Sequence, residues 1–374
     1  MKPPRPTAAR ARRNPDPDTD DTVVLPARES ARSTPPAPPS AARVGRRAWL
    51  AAGGVVCAGC LLGAAYFLTR HANHGTASGP GLAPASPPPP NPARRPEFLI
   101  RDATERAILH NATAPGVTVF RFAHAARVLV LDFATMQQQG LMLDRVAALI
   151  EKSGTPRDRV LSEPELLAAI RNDGATIATY YYGHDYSAAS LRRFFALADA
   201  AKIALGADEE TLRRLLTQEG WFAPGIRRGL ISIPAVGAHP DITLAARYAI
   251  LHHELSHGIF FSDPDYARFV RHFWHTTLTA GERASVRRFL GSEGYDTTNE
   301  ELMYNEMQAY LMFTSDPQFF RPDQVGMTAE HLARRQAIFL HGMPGGWLHD
   351  ALAASLSGAS HPTAGQRASR AAPT

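Results

Sequence analysis

Residues 244–260, which read LAARYAILHHELSHGIF, decide the fold. Their apolar periodicity predicts one long helix, and the pattern H-E-x-x-H falls within it at His253, Glu254 and His257. Residues four apart lie on one face of a helix, so both imidazoles point the same way. Two imidazoles placed like this can share one zinc ion, at about 2.0–2.1 Å from each nitrogen.

Glu254 projects from the adjoining face of this helix and can act as the general base that takes a proton from a metal-activated water. The alternative is a chance pair of histidines, but the residues that flank the pair, His252 and Gly258, are uncharged, which favours a metal site. His252 has no histidine four residues later, so we interpret it as a core or supporting residue.

The segments around this helix predict an α+β fold in which helices form the majority. Short runs rich in strand-forming residues predict strands at 117–122, 127–133, 176–182 and 229–233. Amphipathic runs predict further helices at 140–152, 163–171, 188–203, 209–219, 280–290, 299–313 and 329–341.

The motif and its uncharged surroundings, residues 251–259, resemble the zinc signature of zincin metallopeptidases. The resemblance implies a helix-rich zincin-like metalloprotease domain with a small N-terminal sheet. It implies Zn²⁺ as the cofactor, peptide-bond hydrolysis as the reaction and Glu254 as the catalytic base. The motif identifies a superfamily and leaves the specificity open.

The third metal ligand is expected from a later helix. Glu306 is the sole charge in an apolar stripe of that helix, and such a charge needs a partner such as a metal ion. The segment around Glu306 also resembles the glutamate-bearing helix of gluzincins. Asp263 remains a rival ligand because an aspartate there is a variant of the metzincin pattern. Glu300 and Glu301 also remain open, although helix capping explains both of them.

Metallopeptidases of this kind usually supply a tyrosine or histidine that donates to the developing oxyanion. The chain offers Tyr310 and His341 as possible oxyanion stabilisers, and Tyr248 and Tyr304 are further candidates. Spacing does not choose among them.

The composition excludes several classes of site and partner. The only two cysteines are Cys57 and Cys60, so the region 97–350 has no disulfide, thiolate zinc site or cysteine nucleophile. Residues 1–47 carry 10 Lys/Arg and 5 Asp/Glu, whereas the rest of the chain carries 30 of each. Because the basic excess is confined to this tail, no nucleic-acid partner is expected.

The first 96 residues predict a disordered basic tail (1–47), a transmembrane anchor (48–69) and a proline-rich linker (70–96). The arginines that precede the uncharged run place the N-terminus in the cytoplasm and the domain 97–350 outside it. A twin-arginine signal at Arg46-Arg47 and a lipoprotein signal ending at Cys60 remain alternatives. Residues 351–374 predict a disordered tail.

We therefore expect a single-pass zinc metallopeptidase of the bacterial inner membrane, anchored through residues 48–69, that cleaves peptide or protein substrates in the periplasm or at the cell surface. A non-catalytic tethered module with a structural or degenerate zinc site is the alternative. A metal-dependent hydrolase that acts on cell-wall amides is a third hypothesis. The oligomeric state remains open.

Overall fold

A five-stranded mixed sheet organises the part of the chain that the computed structural model describes, residues 97–112 and 115–358. Its strands are β1 (Ile100–Ala103), β2 (Val117–Phe122), β3 (Val128–Phe133), β4 (His184–Ser187) and β5 (Gly229–Pro234). Their order across the sheet is β1-β2-β3-β5-β4. The β1/β2 and β3/β5 pairs are parallel, and the β2/β3 and β4/β5 pairs are antiparallel.

Helices surround the sheet and continue beyond it. They are α1 (Glu105–Leu109), α2 (Met136–Ile150), α3 (Glu163–Asn172), α4 (Ala188–Ala200), α5 (Ala207–Gln218), α6 (Leu244–Ser262), α7 (Pro264–His272), α8 (Ala280–Ser292), α9 (Glu300–Gln308), α10 (Ala329–Gly342) and α11 (Trp347–Leu356). Short 3₁₀ turns lie at Ile177–Thr179 and Pro322–Val325, and π-helical turns lie at Phe273–Thr277 and Ala309–Phe313.

Both faces of the sheet are buried, which explains why β3 is almost continuously apolar. Leu129 and Leu131 point to one face and pack in a core with residues of α2, α4 and α5. Val128 and Val130 point to the other face and pack with residues of α6. The motif helix therefore lies directly on the sheet. A third apolar cluster joins α7 to α11 and the segments between them.

Glu282 joins α8 to α10. Its carboxylate accepts hydrogen bonds from Thr279 N at the start of α8 and from the side chains of His331 and Arg335 on α10. Burial alone would raise the pKa of this carboxyl, but the hydrogen bonds outweigh burial and lower the pKa to about 2.

Most of the predicted elements are confirmed. The strands at 117–122, 127–133 and 229–233 correspond to β2, β3 and β5, and each predicted helix corresponds to an observed one. The strand predicted at 176–182 is wrong. Thr176 and Thr179 instead exchange backbone and side-chain hydrogen bonds that close a 3₁₀ turn, and the strand begins at His184.

The predicted fold class is wrong in two respects. The sheet is not a small N-terminal unit, because β4 and β5 come from residues 184–234 and form one side of it. The predicted transmembrane helix at 48–69 lies outside the described residues, as do the regions 1–47 and 70–96. Within 97–112 and 115–358, no helix combines the length and the apolar character needed to cross a membrane. Helix α11 also extends to Leu356, past the domain boundary predicted at residue 350.

Candidate metal centre

Helix α6 is fixed to the sheet at both ends of the motif. Thr243 caps its N-terminus through a hydrogen bond from Ala246 N. Close to that end, the buried Arg247 makes two hydrogen bonds, of 2.8 and 2.9 Å, to the buried carboxylate of Asp132 on β3. At the other end, Gly258 lies so close to Gly229 of β5 that a Cβ on Gly229 would lie 2.4 Å from the Gly258 carbonyl oxygen. The position of the motif side chains is therefore set by the sheet.

His253, His257 and Glu306 form a buried group that can hold a metal ion. The two Nε2 atoms are 3.1 Å apart, and Glu306 Oε2 lies 3.8 Å from each of them. Two nitrogens that bind one tetrahedral ion at 2.0–2.1 Å are separated by about 3.3 Å, so the histidine spacing fits a shared ion. Glu306 is fully buried, and a carboxylate in that position calls for a cationic partner.

Helix α9 carries Glu306 and is tied to the motif helix beside it. Gln308 donates a 3.0 Å hydrogen bond to Ser256 Oγ, and it accepts one of 2.7 Å from the Tyr266 hydroxyl. Ser256 in turn donates to the backbone carbonyl of His253. This chain of buried hydrogen bonds fixes the third ligand relative to the first two.

Thr314 sets the ring orientation of His253. The Thr314 hydroxyl donates a 2.9 Å hydrogen bond to the Ala309 carbonyl, and its Oγ1 lies 2.8 Å from His253 Nδ1. Because the single hydroxyl proton is used on Ala309, Nδ1 must be the donor in the contact with His253. The lone pair of His253 therefore lies on Nε2, which faces His257 and Glu306. The π-helical turn Ala309–Phe313 brings Thr314 into this position.

A carboxylate lies behind His257, the second histidine of the candidate metal centre. Asp185 Oδ1 on β4 is 3.6 Å from His257 Nδ1, an electrostatic contact longer than a hydrogen bond. Carboxylates in this position orient a ligand imidazole and increase its basicity. Oxygens of Glu151, Asp185 and Glu306 also lie within 4.8 Å of one another, so Glu306 belongs to a second group of residues that can hold a metal ion.

A buried polar network holds β4 in place. His184 lies between Asp144, at 3.2 Å from Nε2, and Ser232 of β5, at 3.0 Å from Nδ1. Gln139 of α2 donates to the Tyr182 carbonyl just before the strand. Burial raises the pKa of Asp144 well above its ordinary value, and the charge of Lys152 opposes that rise only in part. Side chains as well as backbone pairing therefore fix this short strand.

Gly183 provides the space for the carboxylate of Glu254. A Cβ on Gly183 would lie 2.1 Å from Glu254 Oε1, far inside contact distance, so no residue with a side chain fits here unless Glu254 moves. Glu254 is 2% exposed and lies beside the first histidine ligand. Its side chain is therefore held by the turn into β4 as well as by its own helix.

Glu254 and His253 both line one open cleft. The other lining residues are Tyr182, Gly183, Ala249, Ile250, Glu293, Tyr310, Thr314, Gln318 and Phe319. The cleft therefore gives a ligand access to one histidine of the metal group and to the carboxylate next to it in sequence. Its remaining wall is largely apolar and aromatic.

The structure separates the possible oxyanion stabilisers. Tyr310 lines the cleft, and its ring centroid is 4.8 Å from that of His253 in an edge-on arrangement. His341 lies on the exposed side of α10 and is not among the residues that line the cleft. Tyr248 stacks on His252 at 4.1 Å between ring centroids, and neither residue lines the cleft.

The rival metal ligands have other roles. Asp263 accepts hydrogen bonds from Asp265 N and Tyr266 N and so caps helix α7. Glu300 accepts hydrogen bonds from the indole of Trp274 and from Arg287. Glu301 is exposed. None of the three acidic rivals belongs to the metal-holding groups found in residues 97–112 and 115–358.

The chain matches no protein-family model, and comparisons with curated proteins and with solved structures also found no match.

Sequence reasoning did not single out Thr314, Asp185 or Gly183 as parts of this site. Asp185 and Gly183 lie in the tyrosine-rich stretch 180–186, whose composition favours the end of a strand followed by a helix cap over a cleft border. Thr314 follows the helical periodicity of 299–313, and only the extra residue of the π-helical turn places its hydroxyl against His253.

Proposed function

We propose that this protein is a zinc-dependent metallopeptidase. The observation that carries the proposal is the position of Glu254, which shares the cleft with His253 while His253 joins His257 and Glu306 in the metal-holding group. A purely structural zinc site has no use for a carboxylate beside its ligands or for an open cleft. Two imidazoles and one carboxylate, with a position left open to the cleft, are typical of catalytic zinc.

Each residue of the site has a role in this proposal. His253, His257 and Glu306 would hold the zinc ion, which when bound would supply Lewis acidity to the scissile carbonyl and lower the pKa of water. Glu254 accepts a proton from the attacking water and returns it to the leaving amine. Thr314 holds His253 in the tautomer that binds through Nε2. Tyr310, which lines the cleft, donates in this proposal to the oxyanion that develops on the carbonyl.

The edge of the sheet supports an extended peptide as the substrate. Strand β5 is paired on both sides, by β3 and β4, and has no free edge for a substrate strand. The outer strand on this side is β4, and Tyr182 and Gly183 immediately before it line the cleft. An extended peptide can add to such an edge through backbone hydrogen bonds.

The decisive comparison uses full-length wild type, Glu254→Gln and Glu306→Gln. We expect one zinc per chain in wild type and in Glu254→Gln, and loss of zinc in Glu306→Gln. Hydrolysis of a mixed peptide library, followed by mass spectrometry, should be found in wild type alone. Zinc binding without any hydrolysis by wild type would refute the peptidase and leave a metal-binding module. Absence of zinc from wild type after supplementation would refute both.

A further inference from the structure

Glu293 is a carboxylate of the cleft that the proposed reaction does not use. It is 6% exposed and lines the cleft together with Tyr310, Thr314 and Glu254. The lining contains no lysine or arginine. A ligand that enters the cleft therefore meets a second carboxyl group in addition to that of Glu254.

The local structure does not favour an anion at this position. Glu293 follows the last residue of α8 as its C-cap, and Gly294 then turns the chain with φ of +93°. The C-terminal end of a helix carries a partial negative charge, so a carboxylate there is repelled rather than stabilised. Burial adds a desolvation cost. Helix capping therefore does not explain why a carboxyl group stands at this position in the wall of the cleft.

The walls of the cleft suit the rest of such a ligand. Ile250 and Ala249 present aliphatic surface, and Tyr182 and Phe319 are in edge-on contact at 6.2 Å between ring centroids. Hydrocarbon stems pack on surfaces of this kind while their charged ends reach a polar group. The cleft thus combines apolar walls with a carboxylate.

We propose that Glu293 is a specificity-determining residue that binds a cationic group of the peptide substrate. The inference rests on the proposed peptidase function and names the chemistry of its substrate. The cation is an ammonium or guanidinium group, which a peptide can present either on a lysine or arginine side chain or as its free N-terminus. A carboxylate recognises either group through charge-assisted hydrogen bonds.

The test uses matched peptides that differ only in the cation. A cleaved library peptide is synthesised with lysine or norleucine at each position in turn, and with a free or an acetylated N-terminus. Wild type should prefer the cationic member of one pair by about tenfold or more in kcat/KM. In Glu293→Gln this preference should fall below about twofold, while Glu293→Asp should retain part of it. The exposed Glu301→Gln serves as the control and should behave as wild type.

Binding to Glu254→Gln separates this inference from the proposed function. That variant should retain zinc without turning over peptide, so calorimetry with the same pairs measures recognition alone. Cleavage by wild type without any preference, unchanged in Glu293→Gln, would refute the inference and leave the peptidase standing. Discrimination in binding without cleavage would refute the peptidase and support the inference. Equal binding of all pairs, or none, would refute the role of Glu293. Zinc content and thermal midpoint of each variant show whether it is folded.

Discussion

Removal of the Thr314 hydroxyl tests how the metal centre is oriented. The hydroxyl accepts a hydrogen bond from His253 Nδ1 at 2.8 Å and donates one to the Ala309 carbonyl at 2.9 Å, so it fixes the ring and its tautomer. Thr314→Val has almost the same shape and lacks both hydrogen bonds. Loss of a hydrogen bond to the non-ligating nitrogen of a metal-binding histidine typically weakens metal binding about 10–100-fold. This corresponds to about 1.4–2.8 kcal/mol of binding free energy.

The assay is a zinc titration of the full-length protein in competition with a chromophoric chelator. Thr314→Val should bind zinc about 10–100-fold more weakly than wild type. Thr314→Ser keeps the hydroxyl and should stay within about threefold, so the pair separates the hydrogen bond from packing. Equal affinities for Thr314→Val and wild type would refute the reasoning, and so would a Thr314→Ser variant as weak as Thr314→Val.

Three further predictions concern the base, the motif helix and the link between α8 and α10. Gly183→Ala should displace the Glu254 carboxylate, since the new Cβ would lie 2.1 Å from Oε1. Turnover should therefore fall about 100-fold while the zinc content stays unchanged. Turnover within twofold of wild type would contradict this prediction. Arg247→Met should lower the free energy of unfolding in urea by about 3–5 kcal/mol, because it leaves the Asp132 carboxylate buried without its counter-charge. Adding Asp132→Asn to this variant should recover part of that loss. An Arg247→Met protein as stable as wild type would disprove the role of the ion pair. For Glu282, whose hydrogen bonds lower the pKa from 4.5 to about 2 in the folded protein, the stabilisation is present above pH 4.5 and lost as the pH falls towards 2. The stability difference between wild type and Glu282→Gln should therefore be about 1–2 kcal/mol at pH 7 and shrink below pH 4, and a difference independent of pH would count against this account.

The motif helix and its neighbours could be predicted from the sequence because their signals are local. The spacing of His253 and His257 determines a shared face, and the charge of Glu306 in an apolar stripe marks a residue that needs a partner. The structure brings these three side chains together, although Glu306 lies 49 residues after His257 in sequence. Strands β2, β3 and β5 were predictable for the same reason, since a run of apolar residues bounded by turns is visible without knowledge of its partners.

The missed features depend on partners that are distant in sequence. Strand β4 is polar because His184 and Asp185 face a buried network and the metal group, so its composition does not resemble that of a strand. Its place at the edge of the sheet follows from pairing with β5, more than forty residues later. The π-helical turn after α9 adds one residue to a helical turn, and the apolar periodicity of 299–313 does not indicate it.

The proposed general base and one proposed metal ligand depend on the same short strand. The backbone leading into β4 contacts the Glu254 carboxylate, and Asp185 within it lies beside His257. Strands at the edge of a sheet open locally at lower free energy than the whole domain unfolds. One local opening of β4 would remove both contacts in a single event. Heat inactivation would then precede global melting, with a midpoint set by the edge of the sheet rather than by its core.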